Sequence, residues 1–227
     1  MGIAKETVLE SEGNSYFQRN IEKTGQIPVA TGCKLFAETL KKCKIQSLLR
    51  VLEIGCCYGY NLKYLHDKFN MECYGIEPSN KAVEYGNDLY CDDKIKLKQG
   101  TADELDFSDE MFDVVMIGFC WFWMDRKYLV KALSEVDRVL KTDGWLAIWD
   151  FDTQIPYIRN NVHNANVPTY KYDLSKLFVN NPQYYLVEKR MFSADGDIVF
   201  EKDIQMRCAL HVLYKENEER AYVHDEV

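Results

Sequence analysis

The stretch Val51-Leu52-Glu53-Ile54-Gly55-Cys56-Cys57-Tyr58-Gly59-Tyr60-Asn61 concentrates residue types able to hold a polar ligand against the main chain. An apolar run carrying one acid passes into a turn with Gly55 and Gly59, and the turn passes into amphipathic sequence. Turn glycines tolerate positive φ and let a ligand approach the backbone closely. The helix start that follows turns unpaired N–H groups toward negative charge. A second acid, Glu77, closes the next apolar run in Tyr74-Gly75-Ile76-Glu77-Pro78-Ser79. It lies about 24 positions after Glu53, near the spacing at which an acid meets a ribose diol. Together these features point to an adenosine-containing ligand. The dinucleotide fingerprint G-x-G-x-x-G would need glycines where Cys57 and Tyr60 stand. That counts against NAD or FAD, because the third glycine secures the close helix–strand packing beside the pyrophosphate.

Positioning such a loop requires strands that end beside one another. Strand-like runs occur at 50–54, 72–76, 95–99, 113–117 and 146–151, with helical periodicity between them. Residues 60–69 place Leu62, Leu65 and Phe69 on one face, and Ser79 is an N-cap for a helix burying Val83, Gly86 and Leu89 or Tyr90. From 126 to 140, Leu129, Ala132, Leu133, Val136, Val139 and Leu140 follow the helical period, with Asp143-Gly144 as the stop. A further helix over 32–44 precedes the first strand, with Leu35, Leu40 and Cys43 inward. Short strands separated by single helices imply parallel pairing with right-handed crossovers. Runs at 184–192 and 205–214 have no helix between them and pair antiparallel. The fold class is α/β, a Rossmann-like doubly wound sheet of about seven strands, mostly parallel with a C-terminal antiparallel hairpin. The organisation expected is an N-terminal helical segment and lid (1–44), a ligand-binding core (45–151), a substrate-side insertion (152–183) with a short helix near 172–178, the strand hairpin (184–215) and a frayed tail (216–227).

The loop, strand and acid together resemble the class I S-adenosylmethionine-dependent methyltransferases over roughly residues 45–151. In that family the first strand reads V-L-E/D-I-G-C-G-x-G; this chain matches at Val51, Leu52, Glu53, Ile54, Gly55, Cys56 and Gly59, and carries Cys57 where the middle glycine is usual. Gln99-Gly100-Thr101-Ala102-Asp103 is similar to the family's adenine-contacting turn, and Leu140-Lys141-Thr142-Asp143-Gly144 to its L-K-P-G-G turn. The resemblance implies S-adenosylmethionine as cofactor. The backbone around Gly55 would meet its methionine end, Glu77 its ribose hydroxyls, and Ala102 and Asp103 its adenine. The cofactor-binding set expected is Tyr16, Arg19, Glu53, Gly55, Cys56, Cys57, Gly59, Tyr60, Asn61, Glu77, Pro78, Ala102, Asp103, Gly118 and Phe119. Tyr16 and Arg19 belong to Ser15-Tyr16-Phe17-Gln18-Arg19-Asn20, which resembles Y-F-x-R-N segments of methyltransferases associated with bacterial surface-polysaccharide genes. That likeness implies an O-methyltransferase acting on a saccharide or phosphorylated precursor. No N-P-P-Y-type element follows the fourth strand, which argues against methylation of a nucleobase or amide nitrogen.

Beyond the fourth strand, Trp121 and Trp123 in an aromatic run are candidates for the substrate side, where rings attract a sulfonium through cation–π contacts. Tyr170 and Lys171 in the insertion complete the substrate-binding set. His163, also in the insertion, is the catalytic base candidate because imidazole titrates near neutrality. His66 falls on a helix surface, His211 within a strand and His224 in the tail. A nucleotide-dependent oxidoreductase and a catalytically silent cofactor-binding protein stand as alternatives.

The formal charge of −8 argues against nucleic acid as a partner, and the resemblance implies a small-molecule acceptor. The eight cysteines include no CxxC pair and no Cys/His cluster with zinc-like spacing, so reduced thiols and no metal are expected. The opening MGIAKETVLE lacks a basic head followed by an apolar stretch, so no signal peptide is expected; Glu6 replaces the hydroxyl of a myristoylation motif, and the longest apolar run is too short for a bilayer. A soluble, cytoplasmic protein without membrane partners is the expectation. Sequence leaves its oligomeric state open.

Overall fold

The computed structural model describes residues 3–222 apart from 44, 46–48, 92–93 and 162. Helix α1 (Ile3–Thr7), a π turn over Val8–Glu12 and α2 (Gly13–Thr24) run consecutively, and α3 (Thr31–Lys42) follows. Then come β1 (Arg50–Ile54), α4 (Tyr60–Phe69), β2 (Glu72–Glu77), α5 (Asn80–Leu89), β3 (Ile95–Gln99), β4 (Phe112–Gly118), α6 (Leu129–Val139) and β5 (Leu140–Phe151). The connection after β5 holds β6 (Tyr157–Arg159), β7 (Thr169–Lys171) and α7 (Lys176–Val179); β8 (Tyr184–Ser193), β9 (Arg207–Lys215) and α8 (Glu218–Ala221) complete the described chain.

Seven strands form one sheet in the order β3-β2-β1-β4-β5-β9-β8. The first five are parallel, β9 runs antiparallel to β5, and β8 runs antiparallel to β9. The expected α/β sheet with its C-terminal antiparallel pair is therefore present. Strand alternation divides the core between two faces. Val51, Cys73, Val114, Met116 and Trp149 pack with Leu35, Leu40, Leu62 and Leu65 on one side. Leu52, Ile54, Val115, Ile117 and Ile148 pack with Ala132, Val136 and Val139 of α6 on the other. Fully burying one such aliphatic side chain contributes roughly 1.5–3 kcal/mol, so both helical layers are held by their apolar stripes. Strand order reverses between β1 and β4, which opens a crevice beyond their carboxyl ends.

Several boundaries differ from expectation. The long helix ends at Val139, not at Asp143-Gly144, because Leu140 already pairs with Phe112 in β4. Register resumes at Val114 with Trp145, so 141–144 bulge from the strand, and Asp143 takes a positive φ of 63° there. The start of that helix is tightened to a 3-10 turn over Arg126–Tyr128. In α5 Tyr90 is buried and Leu89 is 53% exposed, and Cys43, expected inward, is exposed at the end of α3. The short helix of the insertion covers Lys176–Val179 rather than 172–178. The tail carries α8, capped by Asn217, whose side chain accepts from the Glu219 N–H; Lys44 and His224 lie outside the described residues. Among the described residues no helix is long and apolar enough to cross a membrane.

Trp149 is the wedge between α3 and the sheet's carboxyl edge. A Cβ on Gly118 would fall 2.1 Å from the indole Nε1, and one on Gly32 would fall 2.2 Å from its Cγ. Gly118→Ala should therefore cost roughly 1–3 kcal/mol through overpacking, and Trp149→Phe in the same chain should recover part of it. Thermal denaturation measures both; a Gly118→Ala chain with unchanged Tm would remove the wedge from the account.

Candidate functional site

The crevice is a cleft of about 390 Å³. Its floor is built by the β1–α4 turn. Gly55 has φ +75°, its N–H donates to the Ile76 carbonyl at 2.8 Å, and a Cβ there would lie 2.4 Å from the Cys120 Cβ. Only glycine meets both demands. Cys57, standing at the family's usual glycine, also adopts a positive φ of 51°, a conformation costing on the order of 1 kcal/mol for a side chain. Its N–H compensates by donating to Glu77 Oε2 at 2.9 Å, while Ser79 N–H donates to Glu77 Oε1 at 2.9 Å. The Glu77 carboxylate thus joins the tips of β1 and β2, with further lone pairs turned to the cleft it lines. Burial pushes its carboxyl above the ordinary value against these two N–H bonds.

Behind the floor, Glu53 is 1% exposed and does not line the cleft. Asn61 Nδ2 donates to Glu53 Oε1 at 2.7 Å, and Asn61 Oδ1 accepts from the Ala30 N–H at 3.0 Å. Asn61 therefore links the strand acid to the segment entering α3 while presenting part of itself to the cleft. Burial drives the Glu53 carboxyl up to about 8, offset by the Asn61 bond and raised further by Glu77.

The turn after β3 brings Ala102 and Asp103 into the same wall, and Pro78 borders them. Asp103 is not idle: Lys5 Nζ donates to its two oxygens at 2.8 and 2.6 Å. Burial raises the Asp103 carboxyl, but the Lys5 ammonium outweighs it and holds the group below its ordinary value. Lys5, Val8, Gly13 and Tyr16 from the N-terminal helices roof this end, anchored where Ser79 Oγ donates to Asn14 Oδ1 at 2.7 Å. At the opposite end, Gly118 and Phe119 leave β4, with Phe119 at φ +46° and its N–H donating to the Trp149 carbonyl at 3.0 Å. Trp121, Trp123, Phe122 and Phe151 continue that wall.

The cleft therefore gathers Tyr16, Gly55, Cys57, Tyr60, Asn61, Glu77, Pro78, Ala102, Asp103, Gly118, Phe119, Trp121 and Trp123 from the sequence-derived set. Others lie elsewhere for identifiable reasons. Cys56 is buried behind the turn against Gly75, and Gly59 at φ +81° starts α4. Arg19 forms an ion pair with buried Glu12 at 2.6 Å. Tyr170 sits under the Arg126 guanidinium at 4.4 Å, and Lys171 donates to the Gln205 carbonyl at 2.6 Å while its ammonium lies 3.5 Å from the Phe151 ring centre. His163 is exposed in the insertion, outside the cleft wall. Sequence reading did not find Lys5, Ala30, Asp125, Tyr128, Trp149 and Phe151, which also line the cleft. Trp149 and Phe151 end a recognised strand and carried a signal; Lys5 reaches Asp103 only through the path of the N-terminal helices.

Glu77→Ala should weaken S-adenosylhomocysteine binding by about 10- to 100-fold, the worth of hydrogen bonds to a charged group, as read by calorimetry. Affinity within twofold of the parent would remove Glu77 from the site. A second outcome concerns pH. Between about pH 4.5 and 8 the folded chain keeps a proton on Glu53 that the unfolded chain has lost, so stability falls as pH rises through that window. Glu53→Gln, which keeps an acceptor for Asn61, should raise stability by roughly 1–3 kcal/mol near pH 8 and leave it unchanged below about pH 4.5. Melting curves across this range would sink the assignment if parent and variant ran parallel.

Residues 52–148 match the methyltransferase domain family model. The chain is 27% identical over 143 residues to the uncharacterized methyltransferase YcgJ of Bacillus subtilis, covering 59% of this chain and 55% of that one. It is 38% identical over 91 residues to a probable chloroplastic tocopherol O-methyltransferase of Oryza sativa, covering 38% and 25%. The matches thus span about half and a quarter of these relatives. In fold it is similar to a Burkholderia thailandensis 1,6-didemethyltoxoflavin-N1-methyltransferase solved with its acceptor and S-adenosylhomocysteine, at TM-score 0.69 and 11% identity over 95% of this chain and 88% of that one. No comparison supports a surface-polysaccharide subgroup. A glycine turn after β1 and an acid at the tip of β2 lie within residues 52–148, the stretch that matches the methyltransferase domain family.

Proposed function

We propose that this chain transfers the methyl group of S-adenosylmethionine to a small, flat and largely apolar acceptor. The observation that carries this reading is the wall beyond Gly118. Phe119, Phe122 and Phe151 meet edge to face with ring centres 5.6–6.5 Å apart, Phe122 meets Trp123 at 5.0 Å, and Trp123 meets Tyr16 at 5.4 Å. Such a surface rewards planar apolar partners.

A saccharide or phosphorylated acceptor finds less support. Of the segment behind that expectation, Phe17 is 7% exposed in the core and Arg19 neutralises Glu12, so Tyr16 alone faces the cleft. Lys5 is the one basic side chain among the described lining residues, and it is engaged by Asp103. A phosphate would meet no available cation there.

The cofactor supplies a methyl carbon activated by its sulfonium. Glu77 is suited to accept the ribose hydroxyls, and Asp103 an exocyclic amine of adenine once Lys5 yields it. The aromatic wall excludes water and holds the acceptor in line, and in a displacement at an activated carbon this positioning supplies much of the rate. A phenolic or heteroaromatic acceptor gives up its proton readily, so the reading works without the exposed His163.

Label from S-adenosylmethionine should pass to phenols or nitrogen heterocycles at least tenfold better than to sugar phosphates in kcat/KM. Reversed ranking would overturn the acceptor class, and no transfer to any of them would favour a binding protein. Trp123→Ala should raise the acceptor KM by about tenfold while S-adenosylhomocysteine affinity stays within twofold. An equal loss of both would place Trp123 with the cofactor instead.

A further inference from the structure

Outside the cleft, three side chains far apart in sequence converge. Asp152 follows the end of β5, Asp173 lies between β7 and α7, and His211 is in β9. One potential ligand atom from each lies within 4.8 Å of the others. His211 Nε2 stands 3.4 Å from Asp173 Oδ1 and 3.9 Å from Asp152 Oδ1. The imidazole is 3% exposed, and its Nε2 makes no hydrogen bond. A buried ring nitrogen aimed between two carboxylates is the donor set of a metal centre. Two ligands each about 2.1 Å from a tetrahedral ion lie roughly 3.4 Å apart, so the His211–Asp173 separation already fits and Asp152 must close in.

The supporting contacts agree. Ser175 Oγ donates to Asp173 Oδ1 at 2.6 Å and its N–H donates at 3.1 Å, fixing the carboxylate's orientation as outer partners of metal ligands do. Lys189, in register with His211 on β8, donates to Asp152 Oδ1 at 2.8 Å and lies 3.6 Å from Asp173 Oδ2. Lys189 is the ammonium in contact with both carboxylates, with Lys176 acting on Asp173 and His211 from beyond contact, and a divalent ion would concentrate more charge between the three ligands. Lys189 is also the most exposed of the group, at 35% of its side chain, and can swing outward.

We propose that Asp152, Asp173 and His211 bind one divalent first-row transition-metal ion, which displaces Lys189 as their counter-charge. One nitrogen and two carboxylate oxygens suit Mn²⁺, Fe²⁺ or Zn²⁺ better than Ca²⁺ or Mg²⁺. The ion ties the insertion, through Asp173, to the strand that carries Phe151 into the cleft wall. Its role is to hold the insertion against the sheet, apart from the transferred methyl group.

The test uses the full chain after chelator treatment, titrated with MnCl₂ and followed by loss of the free Mn²⁺ paramagnetic resonance signal. Mn²⁺ is the probe because the eight thiols compete poorly for it. One equivalent should bind, with affinity reduced at least 100-fold in Asp173→Asn and in His211→Gln, and unchanged in Glu72→Gln, in β2 on the other half of the sheet. Lys189→Ala should bind several-fold tighter, because the competing ammonium is gone. No uptake by the parent chain, or uptake that survives both ligand substitutions, overturns the site. Should either ligand variant fail to fold by circular dichroism, Lys189→Ala decides: unchanged affinity overturns the proposal and tighter binding supports it. These readouts are independent of any methyl acceptor.

Discussion

Two chain reversals meet on one carboxylate. Glu77 receives the N–H of Cys57 from the turn after β1 and the N–H of Ser79 from the turn after β2. Without it, the left-handed geometry of Cys57 would stand uncompensated, and the neighbouring strand tips would lose their shared anchor. Charge-assisted bonds of this kind are about twice as strong as neutral ones, and burial strengthens them further. The cleft floor is thus rigid before any ligand arrives, which is the condition under which a preorganised site is effective. Gly55 beneath Cys120 and Asn61 beside Glu53 are arranged around that anchor.

The N-terminal helices depend on the same region. Asn14 docks on Ser79, whose N–H is held by Glu77, so one polar link runs from the roof to the floor. At its far end the roof closes on Asp103 through Lys5, and at its side Glu12 accepts from Arg19 and from Asn164 of the insertion at 3.3 Å. Roof and floor are therefore coupled both by these polar contacts and by Phe17, whose ring packs against Tyr58 and Tyr85 in the core.

How much of this could be read from residues alone follows from the range of each interaction. β1, α4 and β3 were legible to the residue, because strand and helix periods are local and Ser79 caps its own helix. The glycine turn and Glu77 were legible because their roles are set by backbone conformation and strand adjacency. The start of β5 was not: Asp143-Gly144 is a good helix stop by composition, and only pairing of Leu140 with Phe112 turns it into a bulge. Arg19 looked like an anion ligand because its acid, Glu12, lies seven residues before it across a π turn. Lys5 on Asp103 and the triad of Asp152, Asp173 and His211 join residues that no spacing rule relates. Chemistry carried by tertiary contact left no mark in the sequence.

The aromatic construction of the cleft has an optical consequence. The chain has four tryptophans; Trp121, Trp123 and Trp149 line the cleft, while Trp145 meets Tyr214 edge to face at the far end of the sheet. Intrinsic emission from this molecule therefore originates mainly in the site wall. A ligand that fills the cleft as far as that wall alters the surroundings of the indoles, so the unlabelled chain would report its own occupancy as a change in ultraviolet fluorescence.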